Sequence, residues 1–126
     1  MTAFKLKAQV PTEKQEMAML LGWIAFQPRI RDLVFHIPNE YDGGAFKGLC
    51  RRRQGVRKGV SDLCIPLPTK SHHGMFLELK RRYGAKATKE QIQWIDKMNA
   101  LGYAAKICYG LDDAVEFIQG YLASDS

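Results

Sequence analysis

The order of apolar segments predicts an α/β fold in which a mixed β-sheet is flanked by helices. Three stretches carry apolar residues at helical spacing, and four short runs rich in β-branched and aromatic residues lie between them. The expected order of elements is helix, strand, strand, strand, helix, strand, helix, which favours a mixed sheet with helices packed against it. At 126 residues, the chain has the length of one domain.

The first helix is expected over about residues 12–26. Thr12 and Gln15 have the spacing of a capping box, in which each side chain satisfies a backbone N–H of the other at the start of a helix. The run LVFHIPNE, residues 33–40, follows this helix and predicts the first strand, because it is rich in β-branched and aromatic side chains and ends at a proline.

Two further strands form a predicted hairpin in the middle of the chain. SDLCIPLP, residues 61–68, and GMFLELK, residues 74–80, are both apolar runs of strand length. The polar residues 69–73 connect them and are typical of a turn. We therefore expect these two strands to pair antiparallel.

The C-terminal part repeats the helix signal and adds one strand. Thr88 and Gln91 form a second capping box before an amphipathic helix that is expected to end at Gly102. YAAKICY, residues 103–109, predicts the fourth strand. Asp112 is the expected N-cap of the last helix.

The chain is basic, with a formal charge of +6 and a pI near 9.3, which favours a polyanionic partner such as nucleic acid. Residues 43–60 contain no acid, although such a run also fits a solvated loop. No apolar segment reaches the ~20 residues of a membrane span, so we expect no membrane partner and a cytoplasmic location. The cationic side chains of this run are Lys47, Arg51, Arg52, Arg53, Arg57 and Lys58.

The strand over residues 74–80 carries charges where a buried strand favours apolar groups. Glu78 and Lys80 lie on the same face, about 7 Å apart, because side chains alternate along a strand. In the predicted hairpin, Asp62 can approach Glu78. Two carboxylates in a partly buried place repel each other unless a cation lies between them, and carboxylate oxygens suit Mg²⁺ or Mn²⁺. Such an ion, with Lys80 nearby, would support phosphodiester hydrolysis.

The same residues also have structural explanations. Glu78 and Lys80 fit a same-face ion pair, and Asp62 fits a turn position. Gln91 is already explained as the capping partner of its helix. Glu13 and Glu16 fit first-turn acids that interact favourably with the helix dipole. From the residues alone, both interpretations stay open.

Six segments taken together resemble a known nuclease family. They are TEKQEMAMLLGW, FHIPNE, GVRKGVSDL, GMFLELK, EQIQWIDKMNALGY and CYGLDDAVEFI. This series is similar to the virus-type replication-repair nuclease (VRR-NUC) domain of the PD-(D/E)xK superfamily, in its stand-alone phage form. The resemblance covers about residues 12–122 and implies a restriction-endonuclease-like core within a single VRR-NUC nuclease domain over residues 1–126.

The resemblance also implies roles for residues of the predicted hairpin. Asp62 and Glu78 match the family's metal-binding acids, the backbone carbonyl of Leu79 is an expected further ligand, and Lys80 matches the catalytic lysine. Ser61 stands where the family often has proline, which leaves the turn geometry before Asp62 open.

Two residues outside the hairpin complete the site that the resemblance implies. The N-terminal helix usually supplies a glutamate, and Glu16 is the expected residue because Leu20 and Trp23 follow it at helical spacing. Glu13 is the alternate. Gln91 matches a glutamine that tends to lie beside the active site.

The implied activity is that of a Holliday-junction-resolvase-like endonuclease, a homodimer that cuts branched DNA with Mg²⁺ or Mn²⁺. A non-catalytic module that binds branched DNA is the first alternative, and an RNA-directed nuclease is the second. In each case we expect the basic residues to contact phosphates rather than base edges. The expected contacts are Lys47, Arg51, Arg52, Arg53, Arg57, Lys58, Arg81 and Arg82.

Overall fold

Three helices flank one four-stranded sheet in the computed structural model, which describes residues 10–38 and 54–124. The strand order is β1-β2-β3-β4. Neighbours are antiparallel from β1 to β3, and β4 runs parallel to β3. The predicted mixed sheet and its central hairpin are therefore confirmed. The elements are α1 (Glu13–Ile24), β1 (Phe35–His36), β2 (Leu63–Ile65), β3 (Met75–Lys80), α2 (Lys89–Ala100), β4 (Ala104–Tyr109) and α3 (Leu111–Ala123).

Both predicted capping boxes are present and set the first residues of α1 and α2. The backbone N–H of Gln15 donates to Thr12 Oγ1 at 3.1 Å, and the N–H of Thr12 donates to Gln15 Oε1 at 2.9 Å. Thr88 and Gln91 repeat this exchange at 3.1 and 2.8 Å. Each box satisfies two N–H groups that the helix itself cannot pair.

The predicted cap of the last helix is wrong. Gly110, at a φ of 90°, is the N-cap, and Asp112 is only the second helical residue. The N–H groups at this end are bound by other carboxylates: Tyr109 donates to Asp113 at 2.9 Å, and Leu111 donates to Glu16 at 3.2 Å. A cap formed by Asp112 is therefore not needed.

Two strands are shorter than the sequence predicts, for local reasons. Leu33 and Val34 donate to the carbonyl of Ile30 at 2.9 and 3.1 Å, so a turn holds them and the strand begins only at Phe35. β2 ends at Ile65 because the next residue is a proline, which has no N–H to extend the ladder. Residues 39 and 40 of the predicted first strand lie outside the described residues.

The two faces of β3 have different surroundings. Leu77 and Leu79 are fully buried in the main core, where side chains of α1 and α3 pack against those of the sheet. The opposite face presents Phe76, Glu78 and Lys80. Phe76 packs against Trp94 of α2, with ring centroids 4.6 Å apart and the planes nearly perpendicular. The charged residues therefore lie on the α2 side of the sheet, away from the main core.

Candidate metal centre

The hairpin brings Asp62 and Glu78 together. Leu63 of β2 is paired with Leu77 of β3 in an antiparallel ladder. Asp62, just before Leu63, and Glu78, just after Leu77, are therefore neighbours across the two strands. Asp62 is held in place by two bonds: its Oδ2 accepts the N–H of Leu79 at 2.8 Å, and its carbonyl accepts the N–H of Ile37 at 2.7 Å. The carboxyl group of Asp62 is thus fixed to the backbone of β3.

Glu13, in the first turn of α1, completes a group of three acids. One carboxylate oxygen from each of Glu13, Asp62 and Glu78 lies within 4.8 Å of the other two. The three side chains range from exposed at Glu13, through half-buried at Asp62, to buried at Glu78. The group is therefore open on one side, which would allow a substrate oxygen or water to reach an ion bound there.

The electrostatics of Glu78 fit a cation site. Its side chain is only 2% exposed, and Oε1 has no hydrogen-bond partner among the residues that the structure describes. Burial first, and then the interaction with Asp62 and the charge of Glu13, raise the pKa of Glu78 to about 9, although the charge of Lys80 opposes the shift. A buried carboxyl group with an unpaired oxygen and two acidic neighbours suits a hard divalent ion, which prefers such oxygen ligands.

Lys80 and the backbone of Leu79 border the acid cluster. Lys80 is half-buried and lies two residues after Glu78, on the same face of β3. The N–H of Leu79 points to Asp62. Because the N–H and C=O of one strand residue point to the same side, the carbonyl of Leu79 also faces that side. This orientation is the one expected for a backbone ligand.

The helix glutamate that sequence reasoning preferred, Glu16, lies outside the acid cluster. It is fully buried and bound by Arg82, whose Nη2 and Nε donate to the two carboxylate oxygens at 2.7 and 3.1 Å. The backbone N–H groups of Arg82 and Leu111 donate to the same carboxylate at 3.1 and 3.2 Å. The hydrogen bond from Arg82 lowers the pKa of Glu16 despite its burial. The alternate, Glu13, is the glutamate of α1 that lies in the acid cluster.

Gly110 is required for this arrangement around Glu16. A Cβ atom at Gly110 would lie 2.8 Å from the Cβ of Arg82 and 3.3 Å from Glu16 Oε2. Its φ of 90° is also one that other residues rarely adopt. Glu16, Arg82 and Gly110 thus join α1, the segment after β3 and the start of α3.

The remaining predicted residues have varied positions. Gln91 is half-buried, and its side-chain oxygen is used by the capping box of α2. Arg81 is half-buried, and Arg82 binds Glu16 rather than standing free for DNA. Arg57 and Lys58 are exposed, and Lys58 forms an ion pair with Glu90 at 3.3 Å. Four expected DNA contacts lie outside the described residues: Lys47, Arg51, Arg52 and Arg53.

Comparisons with known proteins identify the family of the chain. The family model of the VRR-NUC domain matches residues 8–112. A solved structure described as a VRR_NUC domain protein superposes with a TM-score of 0.81 at 25% identity, covering 91% of each chain. No curated protein matches significantly. The chain therefore belongs to the VRR-NUC domain family, which is a family of nucleases.

The described helices are all too short or too polar to cross a lipid bilayer.

Proposed function

We propose that this protein is a divalent-metal-dependent endonuclease that cuts branched DNA, in the manner of a Holliday junction resolvase. The observation that carries the proposal is the cluster of Glu13, Asp62 and Glu78, with Lys80 on the same strand face as Glu78. A purely structural role would leave the buried oxygen of Glu78, which has no partner among the described residues, close to two other acids at a cost in stability.

In this proposal Glu13, Asp62, Glu78 and the carbonyl of Leu79 hold Mg²⁺ or Mn²⁺. The ion, when bound, neutralises charge on the scissile phosphate and makes a water more acidic. The hydrogen bond from Leu79 N–H to Asp62 keeps one carboxylate aimed at the ion, and the burial of Glu78 limits its movement.

Lys80 acts on the reacting groups in this proposal. Its ammonium hydrogen-bonds the attacking water and offsets the negative charge that grows on the phosphate in the transition state. Gln91 has its side-chain oxygen bound to the N–H of Thr88, so only its amide NH₂ is available to donate to a substrate oxygen.

The basic character of the chain supports DNA as the substrate. Exposed Arg57 and Lys58 and the cationic residues between positions 47 and 53 would contact phosphates without reading bases, which favours recognition of DNA shape over sequence. A homodimer presents two equivalent sites, which suits a four-way junction with paired strands to cut.

The test compares cleavage of a four-way junction, a flap and a linear duplex with Mn²⁺, Mg²⁺ or EDTA. We expect discrete cuts in the branched substrates that require the metal and are abolished by Lys80→Ala. Lys86→Ala is the matched control, because Lys86 is an exposed lysine a few residues after β3. Mass photometry of the protein with and without the junction measures the dimer.

Two results would contradict the proposal. Junction binding without cleavage under any metal would identify a binding module instead. Equal cleavage by Lys80→Ala and Lys86→Ala would remove the role of Lys80.

A further inference from the structure

A groove with a volume of about 590 Å³ lies beside α2, on the side of the sheet that carries Glu78. One wall is the segment from Gly55 to Lys58, and the other is the face of α2. Its size is that of pockets that take small ligands. We call this feature the Trp94 groove and define it by the side chains of Arg57, Lys58, Glu90, Gln93, Trp94 and Lys97.

The walls of the Trp94 groove are held together by specific contacts. Gly59 packs directly on the backbone of α2, where an added Cβ would lie 2.6 Å from the carbonyl oxygen of Glu90. Its φ of 90° also favours glycine. Lys58 binds the side chain of Glu90 at 3.3 Å. The loop that carries Arg57 is therefore fixed against the helix, and the groove is part of the fold.

The charges of the Trp94 groove favour an anion. Arg57, Lys58 and Lys97 are cationic and exposed, whereas Glu90, the single acid among the described residues of the lining, is already paired with Lys58. Each wall therefore keeps one surplus positive charge, Arg57 on the loop and Lys97 on the helix. Cationic side chains of this kind bind the phosphates of a nucleic-acid strand.

Trp94 adds an aromatic side chain to the lining of the groove. The ring is half-buried and is held edge to face by Phe76, with an angle of 89° between the planes. Aromatic rings beside a basic groove bind the faces of unstacked bases, and every base has such a face. In a duplex those faces are covered by neighbouring bases, so the ligand that fits both features is an unpaired nucleotide.

The position of the groove links it to the acid cluster. Phe76, which holds Trp94, lies two residues before Glu78 on the same face of β3, about 7 Å away along the strand. We propose that the Trp94 groove binds an unpaired nucleotide of the DNA next to the cut. This inference rests on the proposed function for the choice of DNA, and it predicts that branched DNA with single-stranded nucleotides, such as a flap, is preferred over fully paired DNA.

The experiment measures binding by Trp94 fluorescence in EDTA, where no hydrolysis takes place. A Trp23→Phe background leaves Trp94 as the only tryptophan, since the chain has two. The probes are a short oligothymidylate single strand and a blunt duplex of equal length. We expect saturable quenching by the single strand and much weaker quenching by the duplex.

Two substitutions extend this measurement, with a fluorescent label on the oligonucleotide. Trp94→Leu should weaken single-strand binding about tenfold, the effect of losing one stacked base. Lys97→Ala should also weaken single-strand binding. It should reduce the slope of the logarithm of the binding constant against the logarithm of the salt concentration by about 0.7. Lys89→Ala is the matched control, because Lys89 is an exposed lysine of α2 outside the groove. Circular dichroism checks that Trp94→Leu is folded, and Lys97→Ala tests the groove independently of it.

The inference is overturned by equal quenching with single strand and duplex, or by equal loss of binding in Lys97→Ala and Lys89→Ala. Failure of the proposed function gives a different result. Trp94-dependent binding without any cleavage would contradict the nuclease assignment and leave the groove intact. Normal cleavage without Trp94-dependent binding would contradict the groove alone.

Discussion

Glu16 and Glu78 are both buried glutamates, yet their surroundings are opposite. Glu16 accepts two hydrogen bonds from the guanidinium of Arg82 and two from backbone N–H groups. Glu78 lies beside Asp62 and Glu13, and one of its oxygens has no partner among the described residues. The pKa of Glu16 is lowered by its hydrogen bond to Arg82, while burial and Asp62 raise that of Glu78 to about 9.

The comparison shows that burial alone does not distinguish the two acids, whereas the identity of their neighbours does. Glu16 has its charge compensated within the chain, so the fold explains it. The charge of Lys80 opposes the raised pKa of Glu78 only in part, so protons or a cation from outside would stabilise these carboxylates further. Paired acids that stay uncompensated are typical of functional sites.

Glu78→Gln should have the largest effect, and it should act on activity rather than on stability. Metal-dependent cleavage should fall by more than about 100-fold, beyond the loss caused by removing a group that only supports a ligand. In EDTA near pH 9, the variant should unfold at the same or higher urea concentration, because the buried charge is gone. A large loss of stability in EDTA would contradict the contrast with Glu16.

Glu16→Gln should show the reverse behaviour. It removes one charge of a buried ion pair, and we expect a loss of about 3 kcal/mol in the free energy of unfolding. This is the lower end of the usual range because the Arg82 side chain is 35% exposed. Urea titration measures the loss, and a double-mutant cycle with Arg82→Gln isolates the pair. Additive effects in that cycle would argue against the pairing.

The pH dependence of stability in EDTA should separate the two glutamates. The folded pKa of Glu16 lies below its usual 4.5, so its stabilisation is present above 4.5 and is lost as the pH falls through the folded value. The folded pKa of Glu78 lies above 4.5, at about 9, so stability falls as the pH rises between these values. The midpoint temperature of thermal unfolding, measured against pH, should no longer fall at acid pH in Glu16→Gln and should no longer fall at alkaline pH in Glu78→Gln. A pH dependence unchanged by either substitution would refute these assignments.

Glu13→Gln should have the smallest effect on stability. Glu13 is exposed in the first turn of α1, so we expect the free energy of unfolding in EDTA to change by no more than about 0.5 kcal/mol. Glu16→Gln, the same substitution one turn later, is the matched control for the urea titration. A loss at Glu13 as large as that at Glu16 would mean that both acids are structural.

Much of the fold could be predicted because its signals are local. Each capping box involves residues three positions apart, and the apolar runs of β2 and β3 are joined by a short turn. The approach of Asp62 to Glu78 followed from that hairpin. The wrong cap at Asp112 has a distant cause, because Glu16 supplies an acceptor to Leu111 from 95 positions away.

The choice between Glu13 and Glu16 could not be made from the sequence. Both acids lie in the first turn of α1, and helical spacing fits either of them. Arg82 decides between them by binding Glu16 across 66 positions, and no short-range pattern indicates that contact. The Trp94 groove was also missed, since Trp94 fits an ordinary amphipathic helix until the loop around Gly59 is packed against it.

The most direct test of the account is Mn²⁺ binding, followed by the electron paramagnetic resonance signal of the free ion in the absence of DNA. We expect Glu13→Gln to bind Mn²⁺ at least about tenfold more weakly than the unaltered protein, because loss of a ligand should cost no less than loss of a group that only supports one. Glu16→Gln, examined where it remains folded, should bind Mn²⁺ normally. Normal binding by Glu13→Gln together with lost binding by Glu16→Gln would contradict the assignment of Glu13, Asp62 and Glu78 as the metal centre.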